Sequence, residues 1–470
     1  YDEILSNMLV LSQARKRIKK FKKKKKVFNE DLSNKIIKNF SFNLTLDQKK
    51  VIKEINEDLK SNYKMFRILQ GDVGSGKTIV AFIAASNVIK SNYQVVMMAP
   101  TEILAKQHFD LAIKIFKFSK INIQFLTSKT HHMDKKKIYE NLLNGKINFL
   151  IGTHALFQKN IKFKNLGLSI IDEQHKFGVK QRMALSNKGG KECDMLLMSA
   201  TPIPRTLIMS VYGDMNISRI ITKPINRENT ITISKPEEKI SEILVYIKKH
   251  IENGSQVFWV CPLIEESKKL DFSAAVKKYN FLSQNFFNKV GLIHGALEKD
   301  EKNEVLNKFL NKEINILVST TVIEVGIDFP NANIIVIENS NKFGLSQLHQ
   351  LRGRVGRGIK QGTCILLYKK NLSENAKKRI KILKSSNDGF YIAEEDMKIR
   401  GFGDISGYQQ SGIKNFKIAD PVQHEDLFEI AYFDIKNIEK NEENFKRYDF
   451  LLKLFDKADI INEKNLDKII

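Results

Sequence analysis

The segment GDVGSGKT, Gly71 to Thr78, constrains the fold of this chain more than any other segment. It fits the pattern G-x-x-x-x-G-K-[ST] in full. The apolar run MFRILQ precedes it, and the stretch TIVAFIAASNVIK, which has helical character, follows. A strand, a glycine-rich loop and a helix in this order are the setting that a phosphate-binding loop requires. The alternative, an ordinary glycine-rich turn, does not need these flanking elements.

The motif assigns a role to single residues. Four residues are expected to present backbone N–H groups to phosphates at the helix N-terminus: Gly71, Gly74, Ser75 and Gly76. Lys77 should reach the β and γ phosphates, and the hydroxyl of Thr78 should face Mg²⁺. The segment therefore predicts a nucleoside triphosphate site.

Two series of apolar runs predict the architecture. The runs are MFRILQ, QVVMMAP, INIQFLT, INFLIGT, LGLSIID and DMLLMSA, followed later by QVFWVCP, VGLIHG, INILVST, NIIVIEN and TCILLY. Charged helical stretches separate them, which favours parallel sheets covered on both faces. The length of 470 residues suits two domains of about 150 to 200 residues with extensions. We predict an α/β fold with two lobes, a crossing at about 201–250 and charged helices over 372–470.

The charge of the chain points to a polyanionic partner. The formal net charge is +25 and the pI is about 9.6, and neutralising phosphates with Lys and Arg releases counterions. Residues 1–26 hold ten Lys or Arg, which predicts a solvated or nucleic-acid-facing arm. A genome biased towards Lys, Asn and Ile is the alternative source of the excess Lys.

The cysteines and the apolar runs indicate the compartment. Three cysteines lie far apart without a C-x-x-C pair, so neither a disulfide framework nor a zinc site is expected. No apolar run approaches the roughly 18 residues that span a bilayer. We expect a cytoplasmic protein with no membrane partner.

Two acids follow a predicted strand. Asp172 and Glu173 come directly after the run LGLSII. Open α/β sheets bind their ligands at the carboxyl ends of the strands. We expect Asp172 to hold Mg²⁺ through water and Glu173 to orient or deprotonate the attacking water. His175 is either a relay between nucleotide and lobe closure or a structural histidine.

The second lobe supplies basic and acidic candidates. In QLHQLRGRVGRG, Arg354 and Arg357 lie three positions apart, which would place them on one helical face as arginine fingers on the developing phosphoryl charge. Asp328, in STTVIEVGIDFPNA, is expected on the ribose or γ-phosphate side. An exposed basic helix is the alternative for the arginines.

The order of these segments resembles that of a known family. GDVGSGKT, APTEILAKQH, IGTHAL, DEQH, SAT, STTVIEVGIDFPNA and QLHQLRGRVGRG resemble the motifs of superfamily 2 helicases. DEQHKFGVKQR and MSATPIPRTL resemble the RecG family of branch-migration helicases within it. The resemblance covers nearly the whole chain. It implies two tandem RecA-like lobes with a C-terminal helical hairpin, and an ATP- and Mg²⁺-dependent DNA helicase or duplex translocase in recombination and repair.

The resemblance also implies roles that spacing alone does not give. Phe42 and Gln48, in FSFNLTLDQKK, would hold the adenine by stacking and hydrogen bonding. MKIRGFGDISGYQQSG resembles the family's translocation hairpin, in which Arg400, Gly401 and Gln410 would couple lobe movement to duplex DNA. The chain departs from the family pattern at three positions: Phe402, Asp404 and Gln409.

Domain boundaries follow from the same resemblance. We expect a basic helical linker over 1–40, an ATP-binding lobe over 41–222, a second helicase lobe over 223–385, and the hairpin with C-terminal helices over 386–470. The chain begins with Tyr1, and no β-rich segment precedes Asp47. We therefore expect a fragment that lacks the family's upstream wedge domain.

The expected partner is branched double-stranded DNA, such as stalled forks and Holliday junctions. A single-stranded DNA-binding protein is a further candidate partner, and we expect a monomer. Two alternatives stay open: another superfamily 2 duplex translocase, such as a transcription-repair coupling motor, and a DNA-binding scaffold that does not hydrolyse ATP.

Overall fold

The chain divides into two units. One comprises Tyr1–Thr222 and Met397–Ile470, and the other comprises Lys223–Asp396. The computed structural model describes residues 1–20, 22–39, 43–173, 177, 184–200, 215–222, 224, 228–262, 268–320, 329–358, 360–400, 416, 418–420, 423–438 and 448–455.

A parallel sheet forms the centre of the first unit. Its described strands are Phe66–Gly71 (β1), Gln94–Met98 (β2), Ile123–Leu126 (β3), Phe149–Gly152 (β4), Leu166–Ile171 (β5), Asp194–Ser199 (β6) and Asn216–Ile220 (β7). They lie in the order β3-β4-β2-β5-β6-β1-β7. Every residue of β1, β2, β4, β5 and β6 is buried, as expected when helices cover both faces.

Helices of the first unit pack against this sheet or form the N-terminal part of the unit. They are Asp2–Lys20 (α1), Asp31–Asn39 (α2), Leu46–Lys60 (α3), Lys77–Lys90 (α4), Glu102–Phe116 (α5) and His132–Leu143 (α6). Helix α4 is apolar on nearly every face, and its residues from Ile79 to Val88 are all buried. A helix of this kind belongs in a core.

The second unit is built on a second parallel sheet. Its described strands are Ile231–Pro236 (β8), Gln256–Val260 (β9), Val290–Ile293 (β10), Ile316–Ser319 (β11), Ala332–Ile337 (β12) and Thr363–Tyr368 (β13). They lie in the order β10-β11-β9-β12-β13-β8. Its helices are Ile240–Glu252 (α7), Lys268–Asn285 (α8), Lys299–Leu310 (α9), Leu345–Arg352 (α10) and Glu374–Ser385 (α11). Helix Gly389–Arg400 (α12) begins in this unit and ends in the first.

The predicted fold class is confirmed, because each of the eleven apolar runs contains, to within one residue at the strand ends, one of these strands. Two strands were not predicted. β7 and β8 lie in the segment expected to be a crossing, and each is the outermost strand of its sheet. Both mix apolar and polar residues and are only partly buried, so they lack the continuous apolar run that identifies a central parallel strand.

Helix α1 packs against the C-terminal part of the first unit. Glu425–Ile438 (α13) and Asp449–Leu454 (α14) form an apolar cluster with it, which includes Leu9, Phe428 and Ile435. The buried Glu3 carboxylate accepts hydrogen bonds from the backbone N–H groups of Ile418 and Ala419, both at 2.8 Å. Helix α1 therefore forms one packed element with α13 and α14.

The lysine run that follows α1 is not simply a solvated arm. Lys22, Lys24 and Lys25 are exposed, but Lys23 and Lys26 are buried. The expectation of a solvated or nucleic-acid-facing arm is thus wrong for these two side chains. Both reach Asp194, the first residue of β6, whose buried carboxylate requires cations or N–H donors.

Among the described residues, the longest helices are too polar to cross a lipid bilayer.

Candidate nucleotide-binding site

The loop Gly71–Thr78 connects β1 to α4, as predicted. Gly76 has a φ of 85°, a conformation that L residues with side chains rarely adopt. A Cβ atom on Gly76 would also lie 2.3 Å from Nε2 of Gln48. Gly74 has a φ of 78°. The loop backbone therefore depends on glycine for its conformation and, at Gly76, for space.

Lys77 is the first residue of α4 and folds back over the loop. Its Nζ donates hydrogen bonds to the carbonyl oxygens of Gly71 at 2.7 Å and Asp72 at 3.0 Å. The residue is only 9% exposed. Thr78 is half-buried in the first turn of the same helix. The ammonium thus lies at the phosphate-binding loop with part of its charge solvated by carbonyls.

Gln48 links helix α3 to this loop. Its Oε1 accepts a hydrogen bond from the N–H of Thr45 at 2.9 Å, and its Nε2 donates to the carbonyl of Ser75 at 2.8 Å. Thr45 caps α3 in return by accepting from the Gln48 N–H. Gln48 therefore fixes the helix start against the loop, while its contact with adenine stays a prediction.

Asp172 and Glu173 follow β5 directly, so the predicted position at a strand end is correct. Asp172 Oδ1 accepts from the N–H of Glu173 at 2.9 Å, and Oδ2 is 2.8 Å from Nε2 of His108. The backbone N–H of Asp172 donates to the carbonyl of Met98 at the end of the neighbouring strand β2. Both oxygens of the carboxylate are therefore held in defined directions.

The environment keeps Asp172 ionised. Burial raises the pKa of Asp172, but the hydrogen bond and charge of His108 and the charge of Lys77 outweigh burial, and the net effect lowers the pKa. The charge of Lys77 thus acts on the carboxylate from the phosphate-binding loop. An ionised carboxylate beside a phosphate loop provides the oxygen ligands that Mg²⁺ prefers.

Glu173 adopts a strained backbone conformation. Its φ is 50°, in the left-handed region. For a residue other than Gly this costs about 1 to 3 kcal/mol, and such strain concentrates at functional sites. The strain is consistent with a side chain whose direction matters for function.

The donor set suits Mg²⁺ bound together with phosphates. The described residues contain no group of three or more His, Cys, Asp and Glu side chains that could hold a metal. Mg²⁺ commonly keeps several waters and takes one or two protein oxygens plus substrate phosphates. The Thr78 hydroxyl and the Asp172 carboxylate fit that arrangement better than a complete protein cage.

His108 is the site residue that the sequence interpretation missed. It lies on α5, whose buried residues are otherwise mostly apolar: Leu104, Ala105, Ala112 and Phe116. A histidine at a helical position that aligns with this apolar face was a usable signal. Its acidic partner could not be identified, because the two residues are 64 positions apart and come together only through the pairing of β2 with β5.

In the second unit, the arginine segment is not one helical face. Helix α10 ends at Arg352, and Gly356, with a φ of 71°, lies in the non-helical segment that follows. Arg354 and Arg357 therefore lie beyond the helix, and their predicted helical spacing was wrong. Arg354 is 6% exposed, and Arg357 Nε donates to the carbonyl of Gly353 at 3.0 Å.

Arg352, which had no predicted role, is held by several hydrogen bonds at the end of α10. Its Nη1 donates to the carbonyls of Leu383 at 2.6 Å and Ser386 at 2.9 Å, at the end of α11. Its Nη2 lies 2.7 Å from Nδ1 of His349. This residue fixes α10 to α11 and is structural.

Several predicted residues lie outside the described part of the chain: Phe42, His175, Asp328, Gly401 and Gln410. Arg400 is the last residue of α12 and is exposed. The predicted roles of these residues stay predictions.

Three family models match the chain. The model for DEAD/DEAH box helicases matches residues 45–209, and that for the helicase conserved C-terminal domain matches 237–358. The model described as ATP-dependent DNA helicase RecG, domain 3, C-terminal, matches 386–467.

Curated relatives are similar over most of the chain. It is 47% identical to the ATP-dependent DNA helicase RecG of Bacillus subtilis (strain 168) over 412 residues, which are 87% of this chain and 60% of that protein. It is 45% identical to RecG of Aquifex aeolicus (strain VF5) over 461 residues, or 97% of this chain and 58% of that protein. The chain thus spans about three fifths of the length of these relatives.

Solved structures also align with most of the chain. A structure of RecG bound to a three-way DNA junction aligns with a TM-score of 0.76 at 41% identity, covering 91% of this chain and 56% of that chain. S. cerevisiae Dbp5 bound to RNA and ADP BeF3 aligns with a TM-score of 0.58 at 16% identity, covering 79% of this chain and 97% of that chain, which is a likeness of fold alone.

Proposed function

Because the chain belongs to the RecG family of ATP-dependent DNA helicases, we propose that it hydrolyses ATP with Mg²⁺ to move along branched double-stranded DNA. Forks and Holliday junctions, in recombination and repair, are the proposed substrates. The observation that carries the proposal is the arrangement of Lys77, Asp172 and Glu173 in one lobe. The charge of Lys77 acts on the ionised Asp172, which the strained Glu173 follows directly.

The proposed chemistry divides among these residues. Lys77 and the N–H groups of residues 71–78 would bind the phosphates, and Thr78 and Asp172 would hold Mg²⁺, largely through water. The metal would neutralise the charge that develops on the transferred phosphoryl group. Glu173 would orient the attacking water and accept its proton. Arg354 and Arg357 are proposed to stabilise the phosphoryl charge, and Asp328 to contact the ribose or the γ-phosphate side.

Base recognition and movement are assigned to other residues. Phe42 and Gln48 are proposed to contact the adenine, and Arg400, Gly401 and Gln410 to couple hydrolysis to movement on duplex DNA. If coupling is their role, Arg400→Ala should keep DNA-stimulated ATPase and lose junction unwinding. A parallel loss of both activities would instead assign Arg400 to the fold or the nucleotide site.

Four DNA substrates test the main proposal. Phosphate release should be measured with forked DNA, a Holliday junction, linear duplex and single-stranded DNA, with Lys77→Ala as the inactive control. We expect strong stimulation by the two branched substrates and weak stimulation by single strands. Stimulation should fall with rising salt, because phosphate contacts release counterions. Equal stimulation by linear and branched duplex would contradict the proposed substrate preference.

The two alternatives give different results. A transcription-repair coupling motor should retain RNA polymerase in a pull-down, and a scaffold should bind ATP and DNA without releasing phosphate.

The main proposal also includes a cytoplasmic location, a monomeric state and binding of a single-stranded DNA-binding protein. Size-exclusion chromatography with and without that protein tests the monomeric state and the binding.

A further inference from the structure

His108 occupies an unusual position in the first lobe. It lies on the buried face of α5, among residues that pack into the apolar core, and it is 5% exposed. Burying a polar ring among apolar side chains costs free energy unless its nitrogen atoms are hydrogen-bonded. Nε2 of this ring is 2.8 Å from Oδ2 of Asp172, which is 7% exposed. Both residues of the pair are therefore largely shielded from water.

This contact completes the support of the Asp172 carboxylate. The N–H of Glu173 donates to Oδ1, and the backbone of Asp172 is held by the Met98 carbonyl. A metal-binding carboxylate is ionised and can only accept hydrogen bonds, so Nε2 of His108 must carry the hydrogen. With one donor on each oxygen, rotation of the carboxylate about its last bond is restricted.

We propose that His108 is a positioning residue, which donates a hydrogen bond to Asp172 and so holds that carboxylate in the direction required by the Mg²⁺ of bound ATP. The inference rests on the proposed function, since it needs Asp172 to face the metal. Outer partners of this kind orient the direct ligand, and their loss typically lowers metal affinity or activity by about 10- to 100-fold.

The neighbouring elements explain why the donor comes from α5. β2 and β5 are adjacent parallel strands, so their carboxyl ends lie side by side. Asp172 follows β5, and Thr101, which follows β2, caps α5 by accepting from the N–H of Leu104. His108 lies two turns into that helix. The start of α5 is thus fixed, and the histidine reaches the neighbouring strand end from a rigid element.

The test compares three variants with the unmodified chain. His108→Phe removes the donor and keeps an aromatic ring. His108→Gln keeps a donor at a similar reach, because its Nε2 can occupy the position of the histidine Nε2. Phe116→Leu is the matched control, since Phe116 is buried on the same face of α5 and packs against Phe82 and Phe149 rather than Asp172.

The primary readout is metal binding rather than turnover. Mn²⁺ is titrated into each variant with saturating ADP, and free Mn²⁺ is followed by electron paramagnetic resonance. Binding of fluorescent ADP in EDTA reports the nucleotide site without metal. We expect His108→Phe to raise the Mn²⁺ Kd by about 10- to 100-fold. ADP binding in EDTA should change less than twofold, and His108→Gln should recover most of the Mn²⁺ affinity.

Other outcomes overturn the inference in distinguishable ways. Phe116→Leu should lower the melting temperature and leave the Mn²⁺ Kd unchanged. If His108→Phe behaves like Phe116→Leu, then His108 is a core residue only. If Asp172→Asn leaves the Mn²⁺ Kd unchanged, the proposed metal site itself is wrong. Should His108→Phe fail to fold, His108→Asn, whose amide is too short to reach Oδ2, takes its place with the same expected loss.

Discussion

Lys23 and Asp194 form an ion pair with no exposed side-chain surface on either residue. The Lys23 ammonium lies 2.8 Å from Oδ1 and 2.6 Å from Oδ2 of Asp194. Lys26 adds a second buried ammonium at 2.7 Å, and the N–H of Met65 donates to Oδ1. One carboxylate at the start of β6 thus holds the N-terminal segment against the first lobe.

Asp194→Asn is therefore expected to destabilise the first lobe strongly. Burial lowers the pKa of Lys23, and the charge of Asp194 opposes that effect. Without the carboxylate, two buried ammonium groups lack a counter-charge, and breaking a buried pair in this way costs about 3 to 5 kcal/mol. Urea unfolding followed by circular dichroism measures the loss.

Asp110→Asn is the control for this measurement. Asp110 pairs with Lys106 at the surface of α5, and more than half of each side chain is exposed. Surface pairs contribute about 0 to 1 kcal/mol, so this variant should change the unfolding free energy little. Similar losses in both variants would show that the burial of the Lys23 pair does not matter.

Gly76→Ala should disable the phosphate-binding loop. The new methyl group would meet the Gln48 amide at 2.3 Å, and the backbone would keep a φ that alanine disfavours. We expect ATP affinity, measured by equilibrium dialysis, to fall at least tenfold. Gly190→Ala is the control. Gly190 also has a positive φ, which alanine disfavours, but no atom lies within 4 Å of a Cβ added there, and the residue lies away from the loop. Gly190→Ala should lose some stability and keep ATP affinity.

Glu173→Gln should bind ATP and stall, because the amide keeps the shape of the side chain but cannot accept the proton of water. Glu173→Gly should be equally inactive. It should be no less stable than the unmodified chain, since glycine adopts the observed φ of 50° without strain. Single-turnover phosphate release and thermal melts separate the two effects. Turnover near normal in either variant would remove Glu173 from the chemistry.

The sequence predicted those parts of the structure that depend on local patterns. Continuous apolar runs identified the central strands, and the motif Gly71–Thr78 identified the loop between β1 and α4. The sequence did not predict the role of a residue where that role depends on a distant partner. The burial of Lys23 depends on Asp194, and the role of His108 depends on Asp172. In neither case does the local sequence reveal the partner, because the sheet brings the two residues together.

Local pattern also misled at the arginines. Spacing of three placed Arg354 and Arg357 on one helical face, but the helix ends at Arg352, where that side chain is bound to the carbonyls of another helix end. Gly356 then takes up a positive φ. The conformation of this segment is set by a glycine and by tertiary hydrogen bonds. The spacing of the arginines in the sequence reveals neither.

This difference between the arginines gives the final prediction. Arg357→Ala should lower turnover by about 10³- to 10⁵-fold, the usual range for an arginine that stabilises phosphoryl charge, while ATP affinity changes much less. Arg352→Ala removes the donor to the Leu383 and Ser386 carbonyls and should lower the melting temperature of the second lobe. Steady-state kcat, nucleotide Kd and thermal melts are measured for both variants. An equal loss of kcat and affinity in Arg357→Ala would indicate ground-state binding, and a drop in melting temperature as large as that of Arg352→Ala would indicate a structural role.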